Sequence, residues 1–173
     1  MQLSDKLFYY SKSKDVPAGY GVNEFVSDKK SYTQLNEIPN WRKILSNFHE
    51  AKFKYEDYSY STVEHCYHAQ KFSLVSKKMA FKFTIDSDHA FGKGDGLAAR
   101  KRRKLLILTK EQLEEWEKIK YKITKAICLA KYNQVPIYKK VIDLTNKAEL
   151  WHIVMRSTPV RTAYLEEIRD GLD

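Results

Sequence analysis

The stretch that most restricts the possible folds begins at Thr109-Lys110-Glu111-Gln112. A threonine followed three residues later by glutamine is a capping box, in which each side chain satisfies a backbone N–H that the first helical turn leaves without a partner. Behind it Leu113, Trp116, Ile119 or Lys120, Ile123, Ile127 and Ala130 recur at helical spacing, so this segment predicts a long amphipathic helix with one face for a core. Any fold for this chain must pack that face.

The rest of the chain supplies the packing partners. A length of 173 residues with 43% hydrophobic content predicts one domain, residues 1–173, with its core between about 7 and 170. Residues 7–40 mix aromatics with Pro17, Gly19, Gly21 and Pro39, which predicts short strands or irregular segments. Trp41 to Phe48 reads as a short helix, and the alternation at Phe53-Lys54-Tyr55 as an extended piece ending at Tyr60. Ser61-Thr62-Val63-Glu64 is a second capping box, with Ser61 as the cap and Glu64 completing it, opening a helix expected to run to about Ala80. Val63, Tyr67, Gln70 and Leu74, widened by Cys66 and Ala69, form its apolar stripe; Glu64, His68 and Lys71 share another face. Gly92-Lys93-Gly94-Asp95-Gly96 is too rich in glycine for a helix interior and predicts a loop. Thr158-Pro159 reads as an N-cap with proline in the first helical position, before an apolar face of Val160, Tyr164, Leu165, Ile168 and Leu172. The expected class is predominantly α, an α+β domain with a few short N-terminal strands.

A net charge of +9 favours anionic partners without choosing among nucleotides, nucleic acid and acidic surfaces. The two cysteines, Cys66 and Cys128, form no Cys-x-x-Cys pair, so a disulfide framework and a structural zinc knuckle are not indicated, and a reducing, cytoplasmic setting is expected. Met1 to Lys6 has no apolar stretch of the signal-peptide kind, and no run approaches the roughly 20 apolar residues of a membrane span. A soluble monomer is expected.

Chemistry concentrates in Tyr60 to Phe72, where an acid, two imidazoles, an amide and an amine fall within a few turns. One reading leaves Glu64 as a helix cap with His65 and His68 on the surface. Another places Glu64 in a cleft, where the helix dipole and free amides keep its charge available. A metal reading takes Glu64, His65 and His68 with His49, His89 or His152, but lacks the His-Glu-x-x-His spacing of a zincin helix. Arg100-Lys101-Arg102-Arg103-Lys104 fits a solvated face, a localisation signal, or a phosphate or nucleic-acid contact. The neighbouring glycines match neither a Walker loop nor a dinucleotide fingerprint. Trp116 and Trp151 read as core residues or as platforms for a base.

Ser46-Asn47-Phe48, an extended stretch, and then Thr62-Val63-Glu64-His65-Cys66-Tyr67-His68-Ala69-Gln70-Lys71-Phe72 together resemble the NADAR, or YbiA-like, family. Trp116 with Lys120, leading to Ala130-Lys131-Tyr132, is similar to a further family helix, and Phe8-Tyr9-Tyr10-Ser11 to its opening strand. The resemblance implies a YbiA-like fold and hydrolysis of N-glycosidic bonds, with no cofactor. The implied substrates are ADP-ribose on guanine, including ADP-ribosylated DNA or RNA, or phosphoribosyl-pyrimidine intermediates of riboflavin synthesis. On this resemblance Glu64 is the central catalytic residue, with His65 and Lys71 near the reacting groups. Asn47 and Gln70 are expected at ribose hydroxyls, Phe48 beside them, Trp116 or Trp151 on a base, and Lys71, Lys120 and Arg100 at phosphates. The Pro17 to Glu24 segment resembles one in longer members, which puts Glu24 among the nucleotide-binding candidates. Where many members carry Trp-Gly-Asp-Gly, this chain has Trp151-His152-Ile153-Val154-Met155-Arg156, so His152 or Arg156 would have to replace the aspartate. A chain that kept the fold but lost activity there would be an ADP-ribose or nucleic-acid binding module.

Overall fold

A computed structural model describes residues 3–171. In chain order the elements are β1 (Lys6–Tyr9), α1 (Thr33–Asn36), α2 (Trp41–Ile44), β2 (Phe53–Tyr55), β3 (Tyr58–Tyr60), α3 (Val63–Ser73), α4 (Lys77–Phe81), α5 (Gly96–Lys101), α6 (Lys110–Gln134), α7 (Pro136–Leu144), β4 (Glu149–His152), β5 (Val160–Arg161) and α8 (Ala163–Arg169), with short 3-10 turns between some of them. The class is α+β, with small sheets among the helices. The chain forms two compact units: one takes the residues up to Ser46 and from Pro136 onward, the other Asn47–Val135.

In the first unit β1 pairs in parallel with β4, Leu7 opposite Leu150 and Phe8 opposite Trp151, and β4 pairs antiparallel with β5. Strands therefore come from the C-terminal part as well as the N-terminal part of the chain. The closing helix starts later than Thr158-Pro159 suggests. Val160 and Arg161 are taken up by the ladder with His152 and Trp151, so α8 begins only at Ala163. Leu7, Tyr32, Leu35, Trp41, Tyr138, Val141, Ile142, Leu150 and Leu165 are buried and make the core of this unit.

Glu24 and Arg42 organise the irregular segment between β1 and α1. The Glu24 carboxylate is fully buried. Its Oε1 accepts from the Phe8 N–H at 3.1 Å and Arg42 Nε at 3.0 Å; its Oε2 accepts from the N–H groups of Gly19 and Gly21, both at 2.9 Å, and from Arg42 Nη2 at 2.8 Å. Arg42 also donates to the carbonyls of Val16 and Pro17. The expectation that Glu24 binds nucleotide is thereby corrected, because every direction in which it could accept is occupied by its own chain. Gly21 fits because a Cβ there would lie 2.6 Å from the Glu24 carboxyl carbon, and Gly19 because its φ is +82°.

In the second unit the hairpin β2–β3, with Phe53 opposite Tyr60, leads into α3, which packs against α4, α5 and α6. The capping box at Thr109 forms as expected, each side chain bonding the other residue's N–H, and α6 runs to Gln134. The single helix expected from Ser61 to Ala80 is two. Ser76 caps α4 by accepting from the Met79 N–H at 3.2 Å, and Leu74 to Ser76 form the break. Phe53, Tyr60, Val63, Cys66, Ala69, Phe72, Phe83, Trp116, Ile127 and Cys128 make this core.

Removing one partner of a buried charge pair strands the other charge, typically at about 3–5 kcal/mol. Glu24→Gln is therefore expected to destabilise the protein by about that amount. Urea denaturation of the variant beside wild type measures it, and a loss within about 0.5 kcal/mol, the usual range for exposed sites, would contradict the organising role.

Candidate functional site

The helix that carries the acid is not capped as its sequence suggests. The Ser61 carbonyl continues the β2–β3 hairpin by accepting from the Ala51 N–H at 2.9 Å, which keeps Ser61 extended. The cap is Thr62, whose Oγ1 accepts from the His65 N–H at 3.1 Å. Glu64 thus occupies the second helical position, and its carboxylate is not folded back onto the cap. The carboxylate remains in the first turn, where the helix dipole favours negative charge.

Two bonds fix Glu64. Its N–H donates to the Asn47 carbonyl at 3.2 Å, and its Oε1 accepts from His68 Nε2 at 3.0 Å, one turn further along α3. The carboxylate side chain is 15% exposed and the His68 side chain 6%. To donate to a carboxylate, His68 Nε2 must carry a proton. His68 Nδ1 is buried without a hydrogen-bond partner among the described residues, and the ring lies against Phe83 and the edge of Tyr67. The donor to Glu64 is thus held by aromatic packing.

His65, expected near the reacting groups or on the surface, is fully buried. Its Nδ1 lies 2.7 Å from Thr62 Oγ1 and 3.1 Å from Ser61 Oγ, and its Nε2 is 3.4 Å from the Lys93 carbonyl. The arrangement fits a neutral ring that accepts from a hydroxyl at Nδ1 and donates from Nε2. Burial lowers its pKa further from the charged range. His65 therefore ties the start of α3 to the glycine loop, and Ser61 Oγ donates to the Gly92 carbonyl beside it. Two loop glycines are close-approach positions: a Cβ on Gly92 would lie 2.3 Å from the Thr84 carbonyl oxygen, and one on Gly96 2.4 Å from the Phe48 Cα. Asp95 caps α5 by accepting from the Ala98 N–H.

Of the remaining candidates in this unit, Asn47 and Phe48 are half-buried beside the starts of α3 and α5, with the Phe48 carbonyl accepting from the Gly96 N–H at 3.1 Å. Lys71 lies along α3 with its ammonium 5.9 Å from the Trp116 ring. Trp116 itself is 1% exposed; its indole N–H donates to the Tyr67 hydroxyl at 3.3 Å, and the rings meet edge to face. This corrects the expectation of a base platform, since neither ring face is open to a ligand. Lys120 pairs with Glu117 on the exposed side of α6. Gln70 lines a cavity of about 320 Å³ with Tyr58, Tyr60 and Phe81, and Glu64 is not among its lining residues, because six residues of helix turn Gln70 well away from Glu64. Arg100 is exposed on α5, and Arg102 from the same basic run lies 4.7 Å over the Phe91 ring. In the other unit Trp151 is half-buried on β4, stacked on Phe8 and donating to Glu149 Oε2 at 3.0 Å. His68 as partner of the acid and Thr62 as cap are the assignments that helical spacing alone did not single out; the i, i+4 relation of Glu64 to His68 was the signal for the first.

Among the described residues no group of three or more His, Cys, Asp or Glu side chains is arranged to hold a metal ion. Of the suggested set, His65 is turned to Thr62 and the Lys93 carbonyl, and His68 bonds Glu64 itself. Nor is any helix of the described residues long and apolar enough to cross a membrane.

The fold that carries this site is a helix-rich α+β arrangement whose acid sits in the first turn of a largely buried helix. It is the fold of a known structure: the chain aligns with the NMR structure of the E. coli protein YbiA at a TM-score of 0.57, covering 99% of this chain and 87% of that one at 18% identity. The fold is YbiA-like, as the sequence resemblance implied. No family model and no curated protein matches the chain.

The buried His65 makes stability depend on pH with a definite sign. Its folded pKa lies below the ordinary 6.5, so as pH falls through 6.5 the unfolded chain binds a proton that the folded ring resists, and stability drops. His65→Gln is expected to be less stable than wild type at neutral pH but to lose less on acidification. Unfolding free energies followed from about pH 7.5 to about pH 5 give the two slopes; the slope left in the variant belongs in part to His49, whose pKa is lowered by burial and by Lys131. Equal slopes would rule out a buried neutral His65.

Proposed function

We propose that the protein is an N-glycosidase whose catalytic carboxylate is Glu64. The observation that carries this reading is the restraint on that side chain: an acid in the first turn of α3, bonded through Oε1 to a buried histidine, in a segment that resembles the NADAR family on a YbiA-like fold.

The chemistry follows from what bond cleavage demands. When the C–N bond to the ribose breaks, its electron pair leaves with the base nitrogen and positive charge builds on the ribose ring. A carboxylate held against that ring stabilises the charge without having to reorganise. With Oε1 engaged by His68, Oε2 serves as the acceptor that orients water and takes its proton as the water oxygen bonds to the ribose carbon. The departing base gains a proton, which makes it a better leaving group. Lys71, on the same helix, is the candidate donor or phosphate contact, and Asn47 the candidate partner of a ribose hydroxyl. His65 acts through the backbone, holding the start of α3. The proposed substrates are ADP-ribosylated guanine or a phosphoribosyl-pyrimidine, whose phosphates suit the exposed Lys120 and Arg100.

One feature favours a second reading, an ADP-ribose or nucleic-acid binding module without activity. His152, where the family pattern carries glycine before its aspartate, is part of β4, paired with Tyr9 and with Val160.

The test is release of base from ADP-ribosylated guanine DNA and from phosphorylated ribosyl-pyrimidines. Wild type is expected to hydrolyse one of them, Glu64→Gln to remain folded and bind ligand while losing turnover by at least about 100-fold, and His68→Phe to lose about 10-fold, within the range general acid–base and electrostatic groups supply. Near-wild-type turnover by Glu64→Gln would overturn the mechanism. Binding of ADP-ribose with every substrate left intact would favour the second reading.

A further inference from the structure

Lys131 is fully buried in α6, yet neither the restraint on Glu64 nor the proposed chemistry uses it. Its ammonium donates to the His49 carbonyl at 2.6 Å. That carbonyl is the last of three in succession that each accept from a different element of the unit. The Asn47 carbonyl takes the N–H of Glu64 at the start of α3, and the Phe48 carbonyl takes the N–H of Gly96 at the start of α5. The His49 carbonyl takes Lys131 from α6. One turn before Lys131 on α6, the Cys128 thiol faces Asn47 Oδ1 at 3.6 Å. The short segment between α2 and β2 thus sets where the acid-bearing turn and the glycine loop begin, and α6 grips it from behind.

Retaining an ammonium there is expensive. Burial drives the Lys131 pKa from its ordinary 10.5 down to about 7, against a smaller opposing effect of Cys128, whose own thiol burial raises to about 12. A buried methionine of similar length would avoid that desolvation. A side chain kept at a cost to stability, on the backbone that positions the acid, is the pattern of a residue retained for function.

We propose that Lys131 is a positioning residue for the reaction assigned to Glu64, fixing the Asn47–His49 segment from which the first turn of α3 and that of α5 are both held. The proposal rests on the glycosidase reading for its kinetic part only; the hold on the segment is independent of any substrate. Around the ammonium stand the His49 carbonyl and imidazole from the segment, the Cys128 thiol from α6 itself, and the Phe53 ring of β2 at 5.9 Å. Cys66 of α3 is a further titratable group, facing Cys128. With both thiols raised by burial and His49 lowered below its ordinary value, Lys131 is the group of this cluster brought to about 7.

The test pairs two variants with two readouts. Lys131→Met removes the charge and the donor; Lys131→Arg restores both. Amide hydrogen exchange is followed at Glu64 and Gly96, with mid-α6 amides as the internal reference, and kcat and KM are measured on the substrate that wild type cleaves. Lys131→Met is expected to exchange at least about 10-fold faster at Glu64 and Gly96 but not in mid-α6, to melt no lower than wild type, and to lose about 10-fold in kcat with KM changed less than twofold. Its kcat should also lack the decline above about pH 7 that loss of the Lys131 proton gives wild type, and Lys131→Arg should recover most of the exchange protection and kcat. Unchanged exchange at both amides overturns the proposal whatever the kinetics show. Faster exchange with kcat and its pH profile unaltered overturns the positioning role. If wild type cleaves none of the substrates, the glycosidase reading fails and the kinetic part with it, while the exchange result still decides whether Lys131 holds the segment.

Discussion

Backbone carbonyls that leave water must find donors, and the second unit meets that requirement at Asn47, Phe48 and His49 in a way that fixes everything around Glu64. Three carbonyls in a row cannot be satisfied by one neighbouring strand or helix here, because the segment lies between α2 and β2 and belongs to neither. They draw instead on the N–H groups that two helices leave over at their starts, and on one lysine. The orphan donors of α3 and α5 and the orphan acceptors of the segment solve each other's problem. The acid's position follows from that exchange, since its own N–H is one of the donors.

The first unit meets a similar demand by another route. Between β1 and α1 the chain is irregular, and the N–H groups of Gly19 and Gly21, together with that of Phe8 within β1, turn to a side chain and not to a strand. A single carboxylate, Glu24, accepts all three, and Arg42 balances its charge while capturing two further carbonyls. A buried ion pair of this kind is weak evidence for extra stability. Its effect is to give one conformation to a segment that has no regular hydrogen bonding of its own.

What could be read from the sequence was what local rules decide. The capping box at Thr109, a helix behind it with Trp116 and Ile127 on its buried side though Leu113 is exposed, the short helix at Trp41 followed by a hairpin strand, and the glycine loop all follow from neighbours a few residues apart. The YbiA-like fold was legible from the resemblance of the segment around Glu64. Misreadings arose where distant residues intervened. Ser61 and Thr62 are equally good caps, and the choice falls to Thr62 because Ala51 claims the Ser61 carbonyl. Val160 and Arg161 look helical until β4 recruits them. The resemblance of the Pro17 to Glu24 segment put Glu24 among the ligand contacts, and nothing local shows that its partner is Arg42, 18 residues on. Lys131 differs in a further respect: burial is a property of the packed unit, and a lysine on an amphipathic helix carries no local mark of it.

The glycine loop is clamped at both ends, and this gives it the character of a ruler. Gly92 abuts the Thr84 carbonyl and Gly96 abuts Phe48, with only three residues between them. Surface loops ordinarily absorb insertions, but an extra residue here would have to be taken up by α5. Each residue of slippage turns a helix by about 100°, so Arg100 would leave its present face and the basic run after it would point elsewhere. The interval from Gly92 to Gly96 therefore sets the direction in which this part of the protein presents its positive charge.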